Sequence, residues 1–244
     1  VGRVDPFPFA RTDGAPLVAA HRGASWAALE NSLAALRLAL AEGADLVECD
    51  VRLSADGEPF VIHDERTGRT ARENVRVDRC PAAALARVRL KNGEPLPRLA
   101  DVLDALGGAA PLVLDLKSEG GAAAAARVLA GARYRGPVLF SSALRRECLA
   151  ARSLAPARPC ALVTRRPSAS DLAFCRRHGL VSIHPDRRLL TVVRLRRIVE
   201  AGVPFLPYTV DDPQEFRRLA SMGAAGVFSS RPKALREAWR AKTV

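Results

Sequence analysis

A chain of 244 residues, 48% hydrophobic and 26% charged, has the length and balance of a globular α/β domain with a sizeable core. No apolar run approaches the roughly 18–20 residues that cross a bilayer, so no stable membrane insertion is expected. The net charge is +12 and all but four of the 38 basic residues are arginine, yet the pairs at 145–146, 165–166, 176–177, 187–188 and 217–218 are dispersed and not interleaved with aromatics. Stacking on bases therefore has little support and no nucleic-acid partner is expected. A basic field of this kind still draws a small anionic substrate towards a site.

The first 20 residues carry Asp5, Asp13, Pro6, Pro8 and Pro16, with no basic-then-apolar leader pattern. From residue 17 onward one pattern recurs: an Ala/Leu/Arg helix, a glycine, then a short apolar strand. It appears at Ala41-Glu42-Gly43, Leu106-Gly107-Gly108, Gly136, His178-Gly179, Ala201-Gly202 and Met222-Gly223. Glycine just past a helix end relieves the left-handed position there. Continuous apolar runs such as Leu112-Val113-Leu114 suit a parallel sheet buried on both faces. Helix starts are expected at Ser170-Asp171, at Thr191 and at Asp212-Pro213-Gln214-Glu215.

Nine strands are predicted, near residues 17–21, 46–51, 59–63, 111–116, 137–141, 160–164, 180–184, 204–209 and 225–229. A closed (β/α)8 barrel needs eight, so one is peripheral, and the sequence does not say which. Between Val51 and Phe60 there is no room for a crossover helix; Ala55-Asp56-Gly57-Glu58 reads as a turn. No linker or composition shift marks a second domain, which gives one domain over residues 1–244. Five cysteines, at 49, 80, 148, 160 and 175, show no zinc or redox spacing. Reduced, mostly buried thiols are expected, which fits a cytoplasmic protein.

Two of the four histidines, His21 and His63, end strand-like runs beside a charged residue. The carboxyl ends of strands form the active-site face of a parallel barrel, so both are placed for acid–base work. Glu48 and Asp50 alternate with Cys49 along one strand and so share a face. Two adjacent carboxylates repel and are costly to bury unless a cation joins them. Oxygen ligands favour a hard divalent ion, Mg²⁺ or Ca²⁺. Asp115 and Lys117 share a face at the end of another strand. Asp115 can complete the carboxylate set, and Lys117 can meet a phosphate oxygen or simply pair with Asp115.

Taken in order, these residues resemble the glycerophosphodiester phosphodiesterase family. His21-Arg22-Gly23-Ala24-Ser25 followed by Glu30-Asn31-Ser32 is similar to the family's HRG…PEN[TS] opening. Glu48-Cys49-Asp50, the Asp56-Gly57 turn, His63-Asp64 and Arg69-Thr70 continue it. Leu96-Pro97-Arg98-Leu99, Asp115-Leu116-Lys117, Tyr208-Thr209-Val210-Asp211 and the stretch 223–232 follow in family order. The departures are Leu29 for Pro, Asp115 for Glu, Tyr208 for Trp, Asp211 for Asn, Ala225 for Asp, and Ser229-Ser230 for Thr-Asp. They leave the histidines and the E-x-D pair intact.

The resemblance implies a TIM barrel of the phospholipase-C-like phosphodiesterase type and metal-dependent hydrolysis of a glycerophosphodiester to sn-glycerol 3-phosphate and an alcohol. It implies Glu48, Asp50 and Asp115 as ligands of one divalent cation and His21 and His63 as the acid–base pair, in either assignment. Arg22 and Lys117 are then phosphate contacts, and Glu30 supports Arg22 or the metal shell. The rival readings are a lysophospholipase D acting on lipids, which needs an apolar docking surface, and a non-catalytic basic binding module, which retained catalytic groups argue against. A metal-dependent aldolase shares the E-x-D pattern but lacks its further ligands here. Oligomeric state and head group are not readable.

Overall fold

The computed structural model describes residues 8–241, so the ends of the expected 1–244 domain, including Asp5 and Pro6, lie outside the described residues. Seven parallel strands form one curled sheet: β1 (Leu17–Ala20), β2 (Leu46–Leu53), β4 (Leu112–Leu116), β5 (Val138–Ser142), β6 (Cys160–Thr164), β7 (Ser182–Pro185) and β8 (Gly226–Ser229). Their spatial order is β7-β6-β5-β4-β2-β1-β8. Residues 204–208 close the gap between β7 and β8. On one side Leu206 N donates to Ile183 O at 3.1 Å and Tyr208 N to Pro185 O at 2.9 Å; on the other Ala225 N donates to Phe205 O at 3.1 Å and Phe228 N to Pro207 O at 2.9 Å. Pro204 and Pro207 supply no N–H, which interrupts the ladder without opening the barrel.

The peripheral ninth strand is β3 (Pro59–Val61), which pairs antiparallel to β2, with Val51 opposite Val61 and Leu53 opposite Pro59. β2 runs past the barrel rim, turns through the Asp56-Gly57 bend, and returns as β3. The turn is held by Ser54 Oγ on Asp56 at 2.6 Å, with Gly57 at φ +82°. His63 therefore does not end a parallel barrel strand, as its position in the sequence suggested. The antiparallel return leg brings it back down beside Asp50, whose carbonyl accepts Ile62 N at 3.0 Å.

Nine helices are found among the described residues: α1 (Leu33–Ala41), α2 (Ala82–Leu85), α3 (Leu99–Leu106), α4 (Gly121–Gly131), α5 (Arg145–Leu154), α6 (Ala169–His178), α7 (Val192–Glu200), α8 (Pro213–Ser221) and α9 (Pro232–Arg240). Thr191 and Asp212 cap α7 and α8 as expected. Ser170-Asp171 is not the start of α6. Ser168 is its N-cap, and Asp171, three residues on, accepts the Ser168 N–H, a reciprocal capping box that leaves Ser170 inside the first turn. Gly107 and Gly179 end α3 and α6 in the left-handed conformation. Gly136 ends no helix; α4 stops at Gly131, and glycine at 136 leaves room for Tyr134, whose Oη would lie 2.6 Å from a Cβ.

Side chains alternate along each strand. Val18, Ala20, Val47, Cys49, Val51, Leu112, Leu114 and Leu116 pack outward against the helices. Leu17, Ala19, Leu46, Val113, Leu139, Ala161, Leu206 and Phe228 fill the barrel interior. A separate apolar cluster, Phe60, Ile62, Val77, Leu85, Leu90 and Leu96, steadies the excursion between β3 and α3. The period of two extends the inward series past the apolar floor to His21, to Glu48 and Asp50, to Asp115 and Lys117, to Ser141, and to Val163. The site is thus the polar layer on top of an apolar plug.

Candidate active site and metal centre

The chain leaves β1 through two successive left-handed residues, Arg22 at φ +57° and Gly23 at φ +80°. This turn aims the Arg22 N–H at Glu48 Oε2, 2.7 Å away. A side chain at position 23 has no room, because a Cβ there would stand 2.5 Å from the Ala35 carbonyl carbon. A left-handed non-glycine residue costs on the order of 1–3 kcal/mol, and here it supplies a backbone donor to a buried carboxylate. Asn31, also left-handed at φ +58°, holds Asp50 twice: its Nδ2 donates to Asp50 Oδ2 at 2.8 Å and its Oδ1 accepts Asp50 N at 3.1 Å.

Glu48, Asp50 and Asp115 are all buried and offer oxygen atoms within 4.8 Å of one another. Burial, then the charges of Asp50 and Asp115, pushes Glu48 well above the usual carboxylate range. Burial likewise raises Asp115, against the opposing pull of Lys117. Burial would raise Asp50 too, but Lys117 and Arg22 outweigh it and hold this carboxyl low. Lys117 Nζ contacts Asp115 and lies 3.1 Å from Asp50 Oδ1. Asp115 Oδ1 is buried with no hydrogen-bond partner. An orphaned buried oxygen and two carboxylates that resist ionisation fit a divalent cation as the missing counter-charge.

The expected supporting role of Glu30 takes a definite form. Arg22 Nη1 donates to Glu30 Oε1 at 2.8 Å, and Arg69 grips the same carboxylate through Nη1 at 2.6 Å and Nη2 at 2.8 Å. Arg69 Nε also reaches Asp64 Oδ2, and Asp64 Oδ1 lies 2.7 Å from His63 Nδ1. A continuous chain of ionic contacts thus runs His63–Asp64–Arg69–Glu30–Arg22, and Arg22 Nε ends 3.1 Å from Asp50. The site roles of Asn31, Asp64 and Arg69 were not assigned from sequence, although each lies inside a motif quoted above. An asparagine beside Glu30 and an acid beside His63 were the available signals.

His21 makes contacts outside this chain of ionic contacts. Its Nδ1 is 3.2 Å from Thr209 Oγ1, and its ring stacks near Tyr208 with centroids 6.4 Å apart. Burial first, and Arg22 second, push its pKa down to about 3, so the ring is neutral at physiological pH. His21, Arg22, Glu48, His63, Asp115 and Lys117 line one pocket of about 90 Å³, together with Val163, His184 and Tyr208. His184 is buried against Phe228 and bonded to Ser182 at 3.0 Å. A larger cavity of about 610 Å³, bordered by Pro16, Arg217 and Ala224, opens at the other end of the barrel and holds none of these groups.

A barrel with His21 and a buried carboxylate triad at the carboxyl ends of its strands, and His63 brought beside them by the antiparallel return leg, fits the class of metal-assisted hydrolases. The profile of the Glycerophosphoryl diester phosphodiesterase family matches residues 21–234, and the chain belongs to that family. Over 58 residues it is 60% identical to a Mycobacterium tuberculosis protein described as a probable glycerophosphodiester phosphodiesterase 1, a match that spans 24% of this chain and 21% of that protein. A glycerophosphodiester phosphodiesterase of Caldanaerobacter subterraneus is 26% identical over 232 residues, 90% of this chain and 96% of that one. The fold is shared with an Oleispira antarctica phosphodiesterase solved in complex with the product sn-glycerol-3-phosphate. That comparison has a TM-score of 0.85 at 28% identity and covers 92% of this chain and 97% of that one.

Proposed function

We propose that this protein hydrolyses glycerophosphodiesters to sn-glycerol 3-phosphate and an alcohol, with His21 and His63 as its acid–base pair. The observation that carries the reading is one pocket lined by both histidines, by Glu48 and Asp115 of the carboxylate triad, and by Arg22 and Lys117. Glu48, Asp50 and Asp115 would hold one divalent cation, Mg²⁺ or Ca²⁺, which supplies positive charge against the phosphate oxygens when bound.

The surroundings of the two histidines support different roles. His21 is neutral, and in the tautomer whose Nδ1–H donates to Thr209 Oγ1 its other nitrogen takes the proton of the attacking hydroxyl. His63 is bonded to the Asp64 carboxylate, an anion suited to steady an imidazolium, and so gives its proton to the departing alcohol oxygen. A neighbouring glycerol hydroxyl attacks phosphorus first, forming a cyclic phosphate, and water then opens it with the two histidines exchanging roles. Lys117, which holds Asp50 and Asp115, exchanges these contacts for the phosphate once the carboxylates are otherwise neutralised. Arg22 acts mainly by positioning, since Glu30 and Asp50 engage its guanidinium.

The substrate is a small molecule; no helix among the described residues is long and apolar enough to cross a membrane. This reading treats residues 1–244 as one barrel domain. Four of the five cysteines are free and buried, which supports a reducing compartment, the cytoplasm.

Purified protein supplied with Mg²⁺ or Ca²⁺ should release glycerol phosphate from glycerophosphocholine, and EDTA should abolish this. His21→Ala and His63→Ala should each lower kcat by roughly 10²–10⁴-fold. Activity that survives EDTA refutes the metal role, and near-wild-type turnover in both variants refutes the acid–base pairing.

A further inference from the structure

Arginines stand on the carboxyl-end loops after β5, β6, β7 and β8, and one of these loops is unlike the rest. After β5, Arg145 pairs with Asp171 at 2.7 Å and Arg146 with Glu119. After β7, Arg187 pairs with Glu215 at 2.7 Å, and Arg188 closes on Asp186 through Nε at 3.1 Å and Nη2 at 2.8 Å. After β8, Arg231 lies over the Trp26 ring at 4.7 Å. After β6 come Arg165 and Arg166, both exposed, and no described residue gives either a hydrogen bond or an ion pair.

Arg165 is also near residues that line the pocket. Val163 lines it from β6, and Arg165 follows two residues later, just past the end of that strand. Its charge bears on Tyr208, another lining residue, and on Asp186, whose carboxylate is already taken by Arg188. With residues 204–208 counted as a stave, β6 is four staves from β1 in either direction around the barrel, so Arg165 faces His21 across the mouth. The pocket, about 90 Å³, has little room beyond the phosphodiester centre, so a head group leaving past His63 extends over the open mouth, on whose β6 side Arg165 stands.

We propose that Arg165 is a specificity residue that receives an anionic group on the departing alcohol, a carboxylate or a second phosphate. The enzyme then prefers glycerophosphodiesters with negatively charged head groups to those ending in ethanolamine or choline. A guanidinium fork matches carboxylate and phosphate geometry and offers nothing to a quaternary ammonium. Among the described residues that line the pocket, Tyr208 and Phe228 are the only Phe, Tyr or Trp side chains, and Phe228 is buried at its floor, so these residues build no aromatic cage for choline. The proposal rests on the phosphodiesterase reading above.

The test uses two matched substrate pairs with metal-loaded protein: glycerophosphoserine against glycerophosphoethanolamine, which differ by one carboxylate, and glycerophosphoinositol 4-phosphate against glycerophosphoinositol, which differ by one phosphate. In at least one pair kcat/KM should favour the more anionic member by about tenfold or more, and Arg165→Gln should bring that ratio close to one. Arg165→Lys should restore part of it. Ratios near one in the wild type, or a ratio that Arg165→Gln leaves unchanged, overturn the proposal. No turnover of any of the four refutes the phosphodiesterase reading itself, whereas turnover of all four without discrimination refutes only the role of Arg165.

Discussion

Replacing Glu48 with glutamine should stabilise the metal-free protein while removing its response to metal. Glu48 is 3% exposed and shares a 4.8 Å cluster with two other carboxylates. At an effective dielectric of about 20, two unit charges at that separation repel by about 3.5 kcal/mol. Arg22 and Lys117 offset part of this, but burial and the two acids still drive the Glu48 pKa upward, so its charge is a net cost. Glutamine keeps an oxygen for the Arg22 N–H and loses the charge. A gain of about 1–2 kcal/mol corresponds to roughly 2–8 °C in Tm for a domain of this size.

The pH dependence has a definite sign. A glutamate whose folded pKa is raised contributes stability that is fully present below its unfolded value, near 4.5, and lost as pH rises towards the folded value. The difference between variant and wild type should therefore be small near that pH and widen towards neutrality. With a cation at 100 times its Kd the wild type should gain about 2.7 kcal/mol, and at the same concentration the variant should gain far less. Thermal melts in EDTA and in Mg²⁺ or Ca²⁺, between pH 4.5 and 8, read all of this. A variant less stable than the wild type at pH 7.5 in EDTA, or equally stabilised by metal, refutes the reasoning.

Asn31→Ala removes both contacts to Asp50 and should weaken metal affinity by roughly 10–100-fold, as loss of a partner behind a ligand does; calorimetric titration giving an unchanged Kd would contradict this. Gly23→Ala drives a Cβ against backbone atoms of Ala35 and Leu36 at 2.5–2.8 Å, where no side chain can yield, at a φ of +80°. It should cost at least about 2 kcal/mol by urea denaturation, and a loss below about 0.5 kcal/mol would show that α1 shifts freely.

The barrel was legible because its signals are local. Period-two alternation put Glu48 with Asp50, and Asp115 with Lys117, on shared faces, His21 was placed by its position at a strand's end, and the helix-glycine-strand rhythm set the element order. The ninth strand was not legible, since β3 and a barrel stave read alike as short apolar runs; pairing direction is a property of two segments. Residues 204–208 show the converse, a stave whose prolines keep its ladder irregular although it bonds to both neighbours.

The late departures from the family pattern also change meaning in three dimensions. Asp211 stands where Asn is usual and Ser230 where Asp is usual. In the fold Asp211 accepts the Ser229 hydroxyl at 2.9 Å, Ser230 N at 2.8 Å and the Ser230 hydroxyl. Asp211 thereby ties the loop after β8.

By itself, the sequence determined which groups can do chemistry and on which strand faces they stand, because residue type and alternation are properties of the chain. Only the tertiary structure decided which distant groups meet: Lys117 and Asn31 on Asp50, and Arg69 on Glu30, while Arg165 pairs with no described residue. Charge pairing falls off with distance in space, and residues 19 to 67 positions apart become neighbours only when the barrel closes.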